Sequence, residues 1–296
     1  MFLFPVLAAV GASLGWATGI VLAQKPARLL GAFEFTRVQL ITCGAITAAL
    51  CAGLGYWNSF VGDHWGAFAV SILFGIVLGN LAMIQCLRLG GPRRTELLLA
   101  LKAPLVGTLA FFWLGELPEL SDLAGAAITL SGVVLAILRG GDEDADSDRL
   151  GGSLVVVVLL GLCAALFQGV GFLIMKPVML AGMEPLAVTA VRLLGAALVI
   201  SLIALWPLPA FRSGAELAPG LLFRTVLPGF IGYVVSSSLL LYAIASFNAG
   251  VATVLGALSP VLVLPILWFR DGRRPRAFAL LGACLCVAGT AVIVLV

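Results

Sequence analysis

Apolar stretches of about twenty residues alternate with short polar connections along the whole chain. They lie near residues 3–22, 33–54, 66–87, 95–113 and 120–138, and then near 153–174, 185–206, 224–245, 250–269 and 276–295. A bilayer core about 30 Å thick needs roughly 20 helical residues for each crossing. Because backbone polar groups in lipid must be satisfied within their own segment, the pattern predicts ten transmembrane helices and no strands.

The stretch between residues 139 and 152 is polar and separates two similar halves of the chain. It carries Asp142, Glu143, Asp144, Asp146 and Asp148 between flanking glycines. These carboxylates repel one another and cannot bury apolar surface, so we expect a flexible connector. The predicted organisation is a first five-helix unit at 1–138, a charged cytoplasmic linker at 139–152 and a second five-helix unit at 153–296.

The composition supports a membrane protein. Hydrophobic residues make up 62% of the chain and charged residues 10%, and the mean hydropathy is +1.17. That is more apolar surface than a soluble core of this size could bury, so the predicted fold class is an all-α integral membrane protein. The net charge of +3 gives no reason to expect a nucleic-acid partner. No metal site or cofactor is expected, because all six cysteines lie in apolar segments without a CxxC pair.

The two halves repeat one another. Small residues recur every four positions in the first helix of each half, and an arginine and a proline recur later. The matched sets are Gly11, Gly15, Gly19, Arg37 and Pro104 in the first half, and Gly161, Ala165, Gly169, Arg192 and Pro260 in the second. Each unit holds an odd number of helices, so the second must enter the membrane from the opposite side. We therefore predict two inverted five-helix repeats, an arrangement typical of transporters.

Several of these features together carry a family resemblance. A Lys-Pro pair follows the first helix of each unit, at Lys25 and Lys176, and residues 111–135 place Glu116 at the end of the fourth helix. In these respects the chain resembles the EamA branch of the drug/metabolite transporter superfamily. The resemblance implies export or exchange of amino acids, other small metabolites or drugs. The superfamily's small members carry a glutamate in the first helix, but residues 15–19 here contain no carboxylate, so that mechanism is not carried over.

Lysine and arginine are distributed unevenly among the connections. Those after odd-numbered helices contain nearly all of them, whereas Lys176 is essentially the only one in the other set. The positive-inside rule then places both termini outside the cell. The family resemblance implies the opposite orientation, and we follow the charges because their asymmetry persists through both halves. The expected location is a prokaryotic-type inner membrane.

Lys102 is the leading candidate for contact with a substrate. It lies about seven residues, or roughly 10 Å, into the fourth predicted helix, too deep to reach the membrane surface easily. Glu96 is six positions away and lies well around the helix, so a direct pairing is not expected. We predict that Lys102 faces a central cavity, with snorkelling and structural pairing as the alternatives.

Other polar and aromatic residues inside the spans are candidates for the same cavity, because each is costly in hydrocarbon without a partner. They are Trp16, Asn80, Gln85, Gln168, Tyr233, Ser237 and Tyr242. Packing and interhelical hydrogen bonding remain the alternatives. Pro104 and Pro260 each lack an amide hydrogen, so we expect them to act as hinges that bend their helices near the midplane.

These observations predict a secondary transporter that exports small metabolites or amino acids by alternating access. An anion or phosphate-ester exchanger, with Lys102 and Arg192 as charge clamps, is the alternative, followed by a channel or a scaffold that transports nothing. An enzyme is not expected, because the single histidine, His64, lies in a loop and no catalytic motif is present. The expected partners are a small-molecule substrate and the lipid bilayer, and a homodimer is left open.

Overall fold

The structure is a computed structural model that describes most of the chain. The described residues are 3–60, 62–102, 105, 108–109, 111–112, 119–139, 153–206, 211, 213–246, 255–272 and 274–295. Within these ranges there are helices and connections but no strand. Pro104, Glu116 and residues 140–152 of the predicted linker lie outside them.

Besides the short 3₁₀ helices Tyr56–Ser59 and Gly62–His64, the described residues of the first half form five α-helices and one π-helical segment. They are α1 (Leu3–Leu30), α2 (Ala32–Leu54), α3 (Trp65–Val70), the segment π1 (Ser71–Leu78), α4 (Gly79–Leu99) and α5 (Leu120–Arg139). The α3 helix, π1 and α4 follow one another without a break. Together they form one long element that corresponds to the third predicted helix and the start of the fourth.

The second half contains a similar series. It comprises α6 (Leu154–Leu173), α7 (Lys176–Leu180), α8 (Pro185–Ala204), α9 (Pro219–Gly229), the segment π2 (Phe230–Ser236), α10 (Ser237–Ser246), α11 (Ser259–Asp271) and α12 (Ala277–Leu295). A short 3₁₀ turn, Gly256–Leu258, precedes α11. The α9 helix, π2 and α10 again form one continuous element.

The described residues include six helices that are long and apolar enough to cross a membrane. They are Phe4–Leu30, Ala32–Leu54, Gly62–Leu99, Leu154–Leu180, Pro185–Ala204 and Pro219–Ser246. Shorter apolar helices cover Leu123–Ala136 and Ala277–Gly289. Large apolar side chains such as Phe4 and Phe269 are exposed on the outer surface, as expected for a face that meets lipid.

Several helix boundaries differ from those predicted. The α1 helix continues to Leu30, so Pro26 lies inside it and not beyond its end. The α4 helix bends at Gly91, whose φ of 75° and ψ of 170° are not helical, and the following Pro92 starts the next helical stretch. The connection between the third and fourth predicted helices is therefore a sharp kink and not a loop, because glycine adopts a positive φ without steric cost.

The first helix of each half packs against elements of the other half. The α1 helix contacts α9, π2 and α10, whereas α6 contacts π1 and α4. Small residues permit both approaches: a Cβ atom on Gly75 would lie only 2.6 Å from the Cα atom of Gly171. Van der Waals contact at such crossings holds helices together where lipid removes the hydrophobic incentive. Residues from all of these elements line a common central cavity.

Candidate substrate-binding site

A partly open cavity in the described part of the chain brings together most of the predicted site residues. It has an empty volume of about 950 Å³, which includes the part open to the outside. Its walls come from α1, α2, π1, α4, α6, α9, π2, α10 and α11, together with Ala100, Lys102 and Gly256. Both halves of the chain therefore contribute to the cavity.

Lys102 is the cationic residue among the described residues of the cavity wall. It is 9% exposed, and its Nζ donates a hydrogen bond of 3.0 Å to Oε1 of Gln168 on α6. The Nε2 of Gln168 donates in turn to Oδ1 of Asn80 on α4, also at 3.0 Å. The three predicted residues thus form one hydrogen-bonded chain that joins the two halves beside the cavity.

Aromatic rings surround the Lys102 ammonium. Its Nζ lies 5.1 Å from the ring centroid of Trp16 and 5.6 Å from that of Phe172, and the two rings meet edge to face at 6.0 Å. Cation–π attraction stabilises an ammonium in such a position when water is excluded. The arrangement gives the cavity an aromatic wall next to its cation.

Glu96 is a second charged residue of the cavity. It is 3% exposed, and its carboxylate accepts a hydrogen bond from Ser259 while its charge acts on Lys102. Lys102 itself donates to Gln168. The two charged residues therefore interact through their charges, while each hydrogen-bonds a different described residue. Glu96 is part of the site, which the sequence analysis did not predict.

Two polar atoms of cavity-lining residues have no hydrogen-bond partner among the described residues. They are Nδ2 of Asn80 and the hydroxyl of Tyr233, and both are buried. An unsatisfied buried donor costs free energy, so such atoms need an explanation. Next to a cavity, they are free to bind a polar ligand. Ser237 also lines the cavity, but its hydroxyl donates to the carbonyl of Gly232 at 3.2 Å.

The cavity walls from π1–α4 and from π2–α10 have the same register. Gly75 and Gly232 line the cavity, and the residues five and eight positions after each glycine line it too. These are Asn80 and Met83 in the first half, and Ser237 and Leu240 in the second. The two walls thus present equivalent positions, which a comparison of the two halves could have found.

Gln85 and Tyr242 were predicted for the site but lie outside the cavity lining. Gln85 accepts a hydrogen bond of 2.8 Å from Nη1 of Arg88, and Tyr242 is 43% exposed. Both fall on helix faces that turn away from the cavity, because each helix presents only part of its circumference to it.

The structure describes one of the two predicted hinges, Pro260. Pro260 lines the cavity and lies in the first turn of α11, directly after the 3₁₀ turn Gly256–Leu258. The interruption of the helix therefore precedes this proline, at a position where its missing amide hydrogen costs little. Pro104 lies outside the described residues.

Comparison with known proteins agrees with this architecture. The model of the EamA-like transporter family matches residues 3–138 and 155–295. No curated protein matches the chain significantly. A solved crystal structure of a protein 20% identical in sequence superposes with a TM-score of 0.74, over 97% of this chain and 95% of that one. At this identity the likeness shows the fold alone. Because the family model covers nearly the whole sequence, the chain belongs to the EamA-like transporter family.

Proposed function

We propose that the protein is a secondary transporter that exports small metabolites or amino acids. The observation that carries the proposal is the central cavity, in which Lys102, Gln168 and Asn80 form a polar chain beside the rings of Trp16 and Phe172. Such a site can bind a polar group at one end and an apolar body at the other. Membership of a transporter family supports the same conclusion.

The proposed mechanism is alternating access between two inverted repeats. The equivalent cavity positions in π1–α4 and π2–α10 support it, as does the reciprocal packing of α1 and α6. Two related units that share a site can exchange conformations and open it first to one side and then to the other. In this mechanism Pro104 and Pro260 mark the points about which the helices of the fourth and ninth spans reorient.

The proposed orientation follows from the positive residues of the sequence. Both termini would lie outside a prokaryotic-type inner membrane, with residues 139–152 in the cytoplasm. Reporter fusions that are active on only one side of the membrane test this arrangement. Activity of a cytoplasmic reporter at either terminus would reverse the orientation without affecting the transport proposal.

The test of transport is solute flux in liposomes that contain the purified full-length protein. A mixed panel of labelled amino acids and small organic acids should show flux above that of empty liposomes. Lys102→Ala should lower this flux strongly, whereas Lys25→Ala, the same change at an exposed position of α1, should not. Absence of flux for every solute would contradict the proposal, and full activity of Lys102→Ala would remove Lys102 from the site.

A further inference from the structure

Arg192 is a charged residue buried behind the cavity wall. It lies in α8 and is 1% exposed. Its Nε donates a hydrogen bond of 2.8 Å to the hydroxyl of Ser71, which donates to the carbonyl of Gly171 at 2.7 Å. An arginine keeps its charge even when buried. A full positive charge is thus held between π1 and α6.

The described residues do not supply Arg192 with a carboxylate. Its repeat counterpart, Arg37, donates to Glu34 at 2.8 Å, three positions earlier in α2. The residue three positions before Arg192 is Thr189, whose hydroxyl donates to the carbonyl of Pro185. The Nη2 atom of Arg192 has no hydrogen-bond partner in the described part of the chain. A buried charge without a counterion is costly, so its presence calls for a functional reason.

The ring of Phe172 connects Arg192 to the cavity. The guanidinium carbon lies 4.8 Å from the centroid of this ring, and Lys102 Nζ lies 5.6 Å from the same centroid. Phe172 lines the cavity. Two cations therefore lie beside one residue of the cavity wall. Among the described cavity-lining residues, Glu96 is the single carboxylate that could offset their charge. The field of a buried charge is weakly screened in a medium of low dielectric constant.

We infer that Arg192 is a specificity residue that makes the cavity select organic anions. The anionic group of the solute binds Lys102, and its apolar body packs against Trp16 and Phe172. Arg192 does not touch the solute. It acts through the electrostatic potential that it adds behind Phe172, which favours solutes with net negative charge over neutral solutes of the same shape. The inference rests on the proposed function and assigns a substrate class to the same site.

The test measures ligand-induced thermal stabilisation of the purified full-length protein. Phenylpropionate and phenylpropanamide share a ring and differ in charge, so the ratio of their half-saturating concentrations reports charge selectivity. The wild type should bind the anion more tightly than the amide, and Arg192→Gln should reduce this preference by about tenfold or more. Arg192→Lys should retain most of it, because the charge is kept.

Two further variants distinguish the effect of the Arg192 charge from an effect of misfolding. Thr189→Glu keeps Arg192 and gives it the counterion that Arg37 already has, so it should also reduce the preference. Arg37→Gln, the matched change in the other half, should leave it unchanged. An unaltered preference in folded Arg192→Gln and Thr189→Glu would overturn the inference, as would failure of the wild type to bind the anion. Flux of any other solute in liposomes would still support the proposed function. Failure of the anion selectivity can therefore be distinguished from failure of the transport proposal.

Discussion

Lys102 and Gln168 join the two halves of the protein through a hydrogen bond of 3.0 Å beside the central cavity. Gln168 uses both ends of its amide, since its oxygen accepts from Lys102 and its nitrogen donates to Asn80. The amide of Gln168 therefore holds the polar ends of Lys102 and Asn80 in position at the cavity wall. Changes at this position should affect binding and stability together.

Gln168→Leu should weaken both substrate binding and the folded state. Lys102 and Asn80 would each lose a buried partner, at a cost of about 1–3 kcal/mol for each unsatisfied group. Thermal unfolding and transport of the variant measure the two effects. Gln85→Leu is the matched control, because Gln85 lies outside the cavity lining and should change transport little. Equal effects of the two substitutions would contradict a special role for Gln168.

Tyr233→Phe should lower transport without lowering stability. The tyrosine hydroxyl is buried and has no partner among the described residues, so its removal relieves a desolvation cost. If the hydroxyl binds the substrate, the apparent affinity should fall by about tenfold or less, equivalent to ~1.4 kcal/mol at most. Transport kinetics and thermal unfolding of the same preparation measure both quantities. Tyr242→Phe, at an exposed position, provides the comparison.

Gly75→Ala should destabilise the protein through a backbone contact. The added methyl group would lie 2.6 Å from the Cα atom of Gly171 and 3.4 Å from Nη2 of Arg192. Overpacking of this kind costs about 1–3 kcal/mol. Gly53→Ala meets nothing within 4 Å and should be neutral or slightly stabilising. Thermal unfolding of the two variants in one detergent tests the difference, and equal stability would contradict the tight crossing.

Glu96→Gln should strengthen the binding of anions to the cavity. The amide oxygen can still accept a hydrogen bond from Ser259, so the change removes charge while it retains shape. With one negative charge fewer near Lys102, phenylpropionate should stabilise the protein at lower concentration than it stabilises the wild type. Glu184→Gln, at an exposed position, should have no such effect. Weaker anion binding in Glu96→Gln would show that the carboxylate organises the site by another route.

The sequence predicted many of the residues that line the cavity, because polar residues are costly in an apolar span. Lys102, Trp16, Asn80, Gln168, Tyr233 and Ser237 all line the cavity, and their contact with a substrate stays a prediction. The same reasoning could not distinguish a residue that faces the cavity from one that faces outward. That difference depends on how each helix is rotated against its neighbours, which explains why Gln85 and Tyr242 were included.

The remaining parts of the site depend on packing that the sequence does not encode locally. Phe172 is one apolar residue among many until the structure places it between Lys102 and Arg192. The π-helical segments π1 and π2 were not predicted, because a wider helical turn has no simple sequence signature. The membrane class, by contrast, follows from composition and segment length, which do not depend on tertiary contacts.

The position that matches Lys102 in the second half is occupied by Leu258. Among the described residues that line the cavity, the two charged side chains, Glu96 and Lys102, both come from the first half. A solute with one charged end would find only one place for that end, and reversing it would set the charge against apolar side chains. We therefore expect such a solute to cross the membrane without tumbling, with its head group held at the same wall from entry to release.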